Sequence, residues 1–295
     1  MHVSVLLKES IDGLEIKEGE TFLDATLGNG GHSSEVAKQF SNKVKIVGID
    51  ADEDAIKRSK ENIEKSGNTP ILILGNYGNT KEVLAKEGIT NIDKALIDAG
   101  FSSDQLESGR GFSFLKDEPL LMTLSKDVNE ETLTAREVVN NWEEENIQTI
   151  ISLYGEERYA GKIARAIVRA REVKPIETSG ELAEIIKNSV PPFYRRGRIH
   201  PATRTFQAIR IVVNSELQSI EKGIRDIFEI LNKDGRFAFI AFHSLEDRLV
   251  KRFFKEKEKE GLAKLITKKP IRPTAEEVEQ NPRSRSAKLR IIQKI

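Results

Sequence analysis

Four short apolar runs, at residues 21–27, 45–50, 71–77 and 94–100, recur about every 20–26 residues, and each ends at or near a turn signal or an acid. Polar, helix-favouring stretches at 33–40, 52–65 and 80–86 separate them. Strand-length apolar runs alternating with amphipathic helices are the pattern of βαβ units, whose strands lie parallel with helices on both faces. The rhythm then stops. From about residue 113 to 199 the chain reads as successive helices, at 134–140, 144–154, 157–171 and 179–189, with Thr134 as an N-cap and Pro119, Pro175, Pro191 and Pro192 as punctuation. A long amphipathic segment at 202–231 follows, then a strand at 236–242. Runs at 262–269 and 288–295 are placed to close the sheet. The expected fold class is α/β: a mainly parallel, Rossmann-like sheet with an inserted all-helical domain. The sheet domain is discontinuous, 1–112 and 202–295, around an insert at 113–201.

Composition sets limits on function. A chain of 295 residues with 38% hydrophobic content supports about two domains without staples. It has no cysteine, which excludes a disulfide framework, a thiolate metal site and a cysteine nucleophile. Its histidines, His2, His32, His200 and His243, show no metal-binding spacing, so no metal is expected. No apolar run approaches the ~20 residues of a membrane span, and the N-terminus lacks a signal-peptide pattern, so a cytoplasmic protein is expected. Lys and Arg number 47, as do Asp and Glu, but the charges are unevenly placed. Residues 251–295 hold 14 Lys and Arg against 6 Glu, and residues 195–210 hold five Arg and no acid. Basic segments in a neutral chain suit contact with a polyanion. The alternating charges at 255–260 read instead as an exposed helix face.

The first strand runs into Asp24-Ala25-Thr26-Leu27-Gly28-Asn29-Gly30-Gly31-His32-Ser33. Glycines allow the sharp turn and close backbone approach of a nucleotide loop, and Ser33 is placed to cap the next helix. There is no P-loop pattern, and the third glycine of a dinucleotide fingerprint is replaced by Ser33. An acid, Asp24, stands four residues ahead of Gly28. A carboxylate there would repel a pyrophosphate but attract the ammonium of S-adenosyl-L-methionine (SAM), which favours SAM over NAD. Asp50, 22 residues after Gly28 at the end of the second run, suits ribose hydroxyls. Tyr77 after the third suits an adenine face, and Asp98 closes the fourth. Each has a bland alternative, a strand cap or half-buried core residue. Together they mark the carboxyl ends at which open α/β sheets bind ligands.

Several segments carry a resemblance: HVSVLLKE from His2, DATLGNGGHS, LIDAGFSSDQL, GRGFSF, HPATRTFQAIRIVVNSEL and FHSLEDRLVKRFF. Together they resemble the MraW-type methyltransferases, and the match runs from His2 to residues 281–286. The resemblance implies a SAM-dependent methyltransferase sheet with a helical insert. It implies an enzyme acting on the exocyclic N4 amine of a cytosine in the decoding region of bacterial 16S rRNA, with the RNA or the small ribosomal subunit as partner. Its SAM contacts fall here on Gly30, Gly31, His32, Asp50, Tyr77, Asp98 and Gln105. The chain departs from the family at residues 119–124, PLLMTL, where P-L-D-M-R-M is common, so an acid and an arginine are lost.

Methyl transfer from a sulfonium is an in-line displacement, for which the protein must align donor and acceptor. Amine methyltransferases of this sheet type place a D/N-P-P-Y/F motif after the fourth strand. The matching segment here offers Asp98 as the polar anchor and Phe101 as a stacking surface for the base, with the alternative that Asp98 only bonds SAM. His243-Ser244-Leu245-Glu246-Asp247 is no hydrolase triad, because adjacent residues in a turn point apart. Ser244 is expected to cap the next helix with Asp247 as its reciprocal partner, while His243 faces the target base. Arg195, Arg196 and Arg198 beside Tyr194 suit RNA, with Arg204 a further candidate. Arg204 and Arg210 have a structural alternative, anchoring the insert, and Arg283, Arg285 and Lys288 carry a weaker expectation. The competing classes are a small-molecule SAM methyltransferase, an NAD-dependent oxidoreductase and a nucleic-acid-binding protein with a vestigial SAM site.

Overall fold

The computed structural model describes residues 4–100, 108–125, 128–129 and 131–295. The chain packs as two compact units, residues 1–100 with 217–295 and residues 101–216. The first unit is built on a seven-stranded sheet of order β3-β2-β1-β4-β5-β7-β6. Its strands are β1 (Thr21–Asp24), β2 (Lys45–Asp50), β3 (Ile71–Leu74), β4 (Ile92–Asp98), β5 (Leu231–Ala241), β6 (Ala263–Leu265) and β7 (Lys288–Lys294). The first five lie parallel to one another, whereas β7 runs antiparallel to both β5 and β6. The mainly parallel Rossmann-like sheet is therefore present, with both C-terminal runs in it.

Alternation along the central strands explains why both faces are covered. In β1, Leu23 and Phe22 enter opposite cores; in β4, Ile97 and Leu96 do so; in β5, Phe237 and Phe239 oppose Ala238 and Ile240. One core is closed by the helices Thr80–Lys86, Glu216–Ile230 and Ser244–Lys259 through Leu84, Ile224, Ile227 and Phe254. The other is closed by Leu7–Leu14, Gly31–Phe40 and Glu53–Lys65 through Leu14, Val36 and Ile63.

The strand ends differ from the sequence pattern in instructive ways. The apolar run 21–27 leaves the sheet after Asp24, and 71–77 leaves it after Leu74 to enter a 3-10 turn at Tyr77–Asn79. Strand β5 begins at Leu231 instead of 236. Ile92 pairs Leu231 and Lys94 pairs Arg236, so the polar stretch 232–235 is accommodated as an irregularity in the ladder, with Asp234 at φ 61°.

The second unit holds the helices Ala135–Asn141, Glu144–Leu153, Ala160–Val173, Ser179–Ser189, Pro192–Arg195 and Thr203–Val213 around its own apolar core. Thr134 caps the first of these by accepting from the Glu137 amide at 3.2 Å. This unit is wider than the 113–201 read from sequence. The amphipathic run 202–231 is two helices, broken where Ser215 adopts φ 49°, and the first buries Phe206 and Ile209 in the helical core. Among the described residues no helix is long and apolar enough to cross a membrane.

Candidate functional site

In the order β3-β2-β1-β4 the chain moves outward from β1 on one side and returns to β4 on the other, which opens a crevice at the carboxyl ends of β1 and β4. Asp24 ends β1, Asp50 ends β2 and Asp98 ends β4. Asp24 is 1% exposed; its Oδ2 accepts from Ser33 Oγ at 2.7 Å and its Oδ1 from the Thr26 amide at 3.4 Å. Burial pushes its carboxyl up to about 6 against the pull of those two bonds, and the charge of Asp50 adds to the rise. Burial also raises Asp50, whose Oδ2 accepts from the Gly28 amide and Oδ1 from the Asp52 amide, both at 2.8 Å. Asp98 is pushed up to about 7, first by burial and then by the charges of Asp24 and Glu246, while the Gly100 amide on its Oδ1 at 3.1 Å opposes the shift. Among the described residues no cation pairs with any of the three.

The loop between β1 and the Gly31–Phe40 helix is held from several sides. Gly28 and Gly30 adopt φ 52° and 73°, which glycine takes without strain. A Cβ on Gly30 would lie 3.0 Å from Ser59 Cβ, and one on Gly31 would collide with Ser4 Oγ. Gly28 is different, since a Cβ there would meet nothing within 4 Å. The Asp50–Gly28 bond fixes the loop to β2. Arg58 Nε and Asn62 Nδ2 hold Asn29 through its Oδ1 and backbone oxygen, each at 3.0 Å. The buried His32 has Nε2 3.2 Å from the Val5 carbonyl, tying the helix start to the N-terminal segment.

Ser33 does not cap this helix. Gly30 occupies the N-cap without a side-chain bond, and Ser33, a turn inside, donates to Asp24 instead. Thr26, which carried no sequence signal, accepts from the Asp98 amide at 2.6 Å and so joins the tips of β1 and β4. Tyr77 is half-buried at the start of its 3-10 turn, and the helix Glu216–Ile230 crosses it at Gly223, where a Cβ would lie 2.9 Å from the ring. Gly223 is a second residue that periodicity could not single out.

After β5, His243 rather than Ser244 is the N-cap of the helix Ser244–Lys259, and Glu246 rather than Asp247 is the reciprocal partner. His243 Nδ1 accepts from the Glu246 amide at 3.4 Å, and Glu246 Oε2 accepts from the amides of Phe242 and His243 at 2.7 and 3.1 Å. Asp247 faces β7, bonding Arg290 at 2.6 Å and Lys288 at 3.1 Å, which lowers its pKa against the cost of burial. Lys288 is thus committed within the fold. Phe101 and Gln105 lie outside the described residues.

In the helical unit the arginines divide. Arg195 donates to the carbonyls of Val190 and Asn188, and Arg204 to that of Glu156 at 3.0 Å. Arg210 forms a two-bond pair with Glu216 at 2.8 and 3.1 Å. Arg196 and Arg198 are exposed on the turn that follows Pro192–Arg195. The segment 119–124 is structural: Leu120 and Met122 are buried, and the carbonyls of Leu121 and Leu120 accept from the Ala135 and Arg136 amides.

The model of the MraW methylase family matches residues 1–295. The chain is 50% identical over 311 aligned residues to ribosomal RNA small subunit methyltransferase H of Clostridium botulinum (strain Kyoto), covering 100% of this chain and 99% of that protein. It is 46% identical to the protein of that name from Clostridioides difficile (strain 630), with the same coverage. Among solved structures, a Streptococcus mutans chain in complex with SAH aligns with a TM-score of 0.49 at 13% identity over 100% of both chains. TrmN from Thermus thermophilus aligns with a TM-score of 0.47 at 10% identity, over 98% of this chain and 48% of that one. Matched along its whole length by the family model and by relatives at half identity, the chain belongs to the MraW methylase family.

Proposed function

We propose that this protein transfers the methyl group of SAM to the exocyclic N4 amine of a cytosine in the decoding region of 16S rRNA, acting in the cytoplasm on the RNA or the small ribosomal subunit. The observation that carries this reading is the carboxylate trio Asp24, Asp50 and Asp98, with no cation partner among the described residues, around a glycine loop with open space at Gly28. Three acids, Asp24 buried and Asp50 and Asp98 half-buried, with no cation partner among the described residues, suit a ligand that brings positive charge, as the ammonium and sulfonium of SAM do, and would repel a pyrophosphate. When bound, SAM supplies an electrophilic methyl group. Asp24 faces the ammonium, Asp50 takes the ribose hydroxyls and Tyr77 lies against the adenine, while Gly28, Gly30, Gly31 and His32 line the remainder.

The N4 lone pair of cytosine is delocalised into the ring. A carboxylate that accepts an N–H bond localises that pair and takes the proton as the nitrogen gains its fourth bond. Asp98 is suited to this, because an acid with a pKa of about 7 is a base matched to neutral pH. Phe101 supplies a stacking face for the extruded base, and His243 stands at the β5 end as a lesser candidate. Methylation at the ring carbon would call for a nucleophile added to the base, and the chain has no cysteine for that. Arg196 and Arg198 contact phosphates, with Arg195 and Arg204 shaping the loop that carries them. The names of the half-identical relatives support rRNA as substrate. Incubation with methyl-labelled SAM and small-subunit RNA, followed by nucleoside analysis, tests the reading. Label in N4-methylcytidine is expected, and label in any other nucleoside, or in none, overturns it.

A further inference from the structure

Phe193 is the first apolar side chain of the Pro192–Arg195 turn and is 66% exposed. It is not isolated. The Arg158 guanidinium lies 5.8 Å from its ring centre, 4.9 Å from that of Tyr194 and 4.8 Å from that of Tyr159. The two tyrosines meet edge to face at 4.9 Å, and Tyr194 is fixed by donating to the buried carboxylate of Glu157. Lys162 Nζ sits 5.7 Å from the Tyr159 ring. Immediately after the turn come Arg196 and Arg198, both exposed and with no acid partner among the described residues. The helical unit therefore presents a large apolar ring, set against a cation that is itself held on two anchored rings, beside exposed positive charge.

That combination has a specific chemical match. An exposed phenylalanine backed by a guanidinium offers a flat face to any nucleobase, and unpaired arginines beside it take the phosphates of the same strand. A duplex offers no free base face, so the ligand is a single strand. Resting on the proposed RNA substrate, we infer that Phe193 is a base-stacking residue that binds an unpaired nucleotide of the RNA other than the cytosine that is methylated. Arg158 fixes the ring beneath it, and Arg196 and Arg198 clamp the adjoining backbone. The occupant is RNA rather than protein, because the charges set about this ring, Arg158 against it and Arg196 and Arg198 just after it, are cationic.

The test uses the full chain and a labelled single-stranded oligocytidine, alone and annealed to its complement. Phe193→Ala is expected to weaken binding of the single strand about tenfold, Phe193→Trp to preserve it, and neither to change duplex binding. The paired change Arg196→Ala with Arg198→Ala is expected to lower the log–log salt slope by about 0.7 per lost phosphate contact. In methyl transfer to small-subunit RNA, Phe193→Ala raises KM with kcat retained, and its melting temperature stays at the parental value because the ring is exposed. Equal single-strand affinity and KM for Phe193→Ala and the parent overturn the inference while leaving the proposed activity standing. Loss of affinity only for assembled subunits, with naked RNA bound normally, assigns Phe193 to a protein contact and also overturns it. A parent chain that methylates no RNA overturns the proposed function itself.

Discussion

Asp98 meets two opposing demands: burial favours its neutral form, while taking a proton from an amine requires the anion. With its pKa near 7, turnover is expected to rise with pH through about 7 and then level off, a profile that Asp98→Asn abolishes together with about 10²–10⁴-fold of the rate. The same shift acts on stability. A carboxylate whose folded pKa lies above its unfolded value of about 4 makes the native state bind the extra proton, so stability falls as pH rises from about 4 to 7. Melting curves at pH 5 and pH 8 should therefore differ less for Asp98→Asn than for the parent chain. Asp24, with a pKa of about 6, gives a separable readout. Calorimetric titration with SAM is expected to show Asp24→Asn binding about 10–100-fold more weakly at pH 8. The gap should narrow below pH 6, where the parental carboxyl is itself neutral, and a gap independent of pH would remove Asp24 from the ammonium site. The acids were legible in the sequence because each stands in or at the end of an apolar run, Asp24 just ahead of the glycine loop. Their bonds were not: that Ser33 holds Asp24 and Thr26 holds Asp98 depends on two loop tips meeting across the sheet, which no local pattern encodes.

At the level of elements, the glycine loop separates two kinds of cost. Gly30→Ala places a methyl against Ser59 in a left-handed backbone, so a loss of about 1–3 kcal/mol in urea unfolding is expected. Gly28→Ala carries the backbone cost alone, about 1 kcal/mol, because its Cβ meets open space. If that space belongs to the ligand, Gly28→Ala loses SAM affinity out of proportion to its loss of stability. Parallel losses in both quantities would mean that no ligand uses the space. Helix and strand positions followed from periodicity because parallel strands bury alternate residues in two cores, as Phe22 and Leu23 do. The caps were harder to place. In FHSLED two overlapping capping boxes compete, and the one with His243 prevails because Glu246 reaches the Phe242 and His243 amides while Asp247 is drawn to Arg290. Charge partners 43 residues away decided a local choice.

For the whole molecule, the two-part organisation was legible in the stop and restart of the α/β rhythm, but its boundary was not. Residues 202–231 have one unbroken amphipathic period, and only the left-handed Ser215 and the burial of Phe206 show the chain changing cores within it. The C-terminal strand has a larger role than its position suggests. β7 lies between β5 and β6, and its Ile291 packs against Gly13 of the first helix. Removing residues 288–295 is expected to leave the sheet unit without a cooperative thermal transition, as followed by circular dichroism. Retention of a sharp transition would show that β7 only decorates the edge.

Because protein synthesis proceeds from the N-terminus, β5 must wait with one side unzipped until β7 has been made. The Leu7–Leu14 helix, made before any strand of the sheet, packs through Gly13 against Ile291 of β7. The sheet that carries the three aspartates is thus not closed until β7 has joined it, so competence to bind follows that strand.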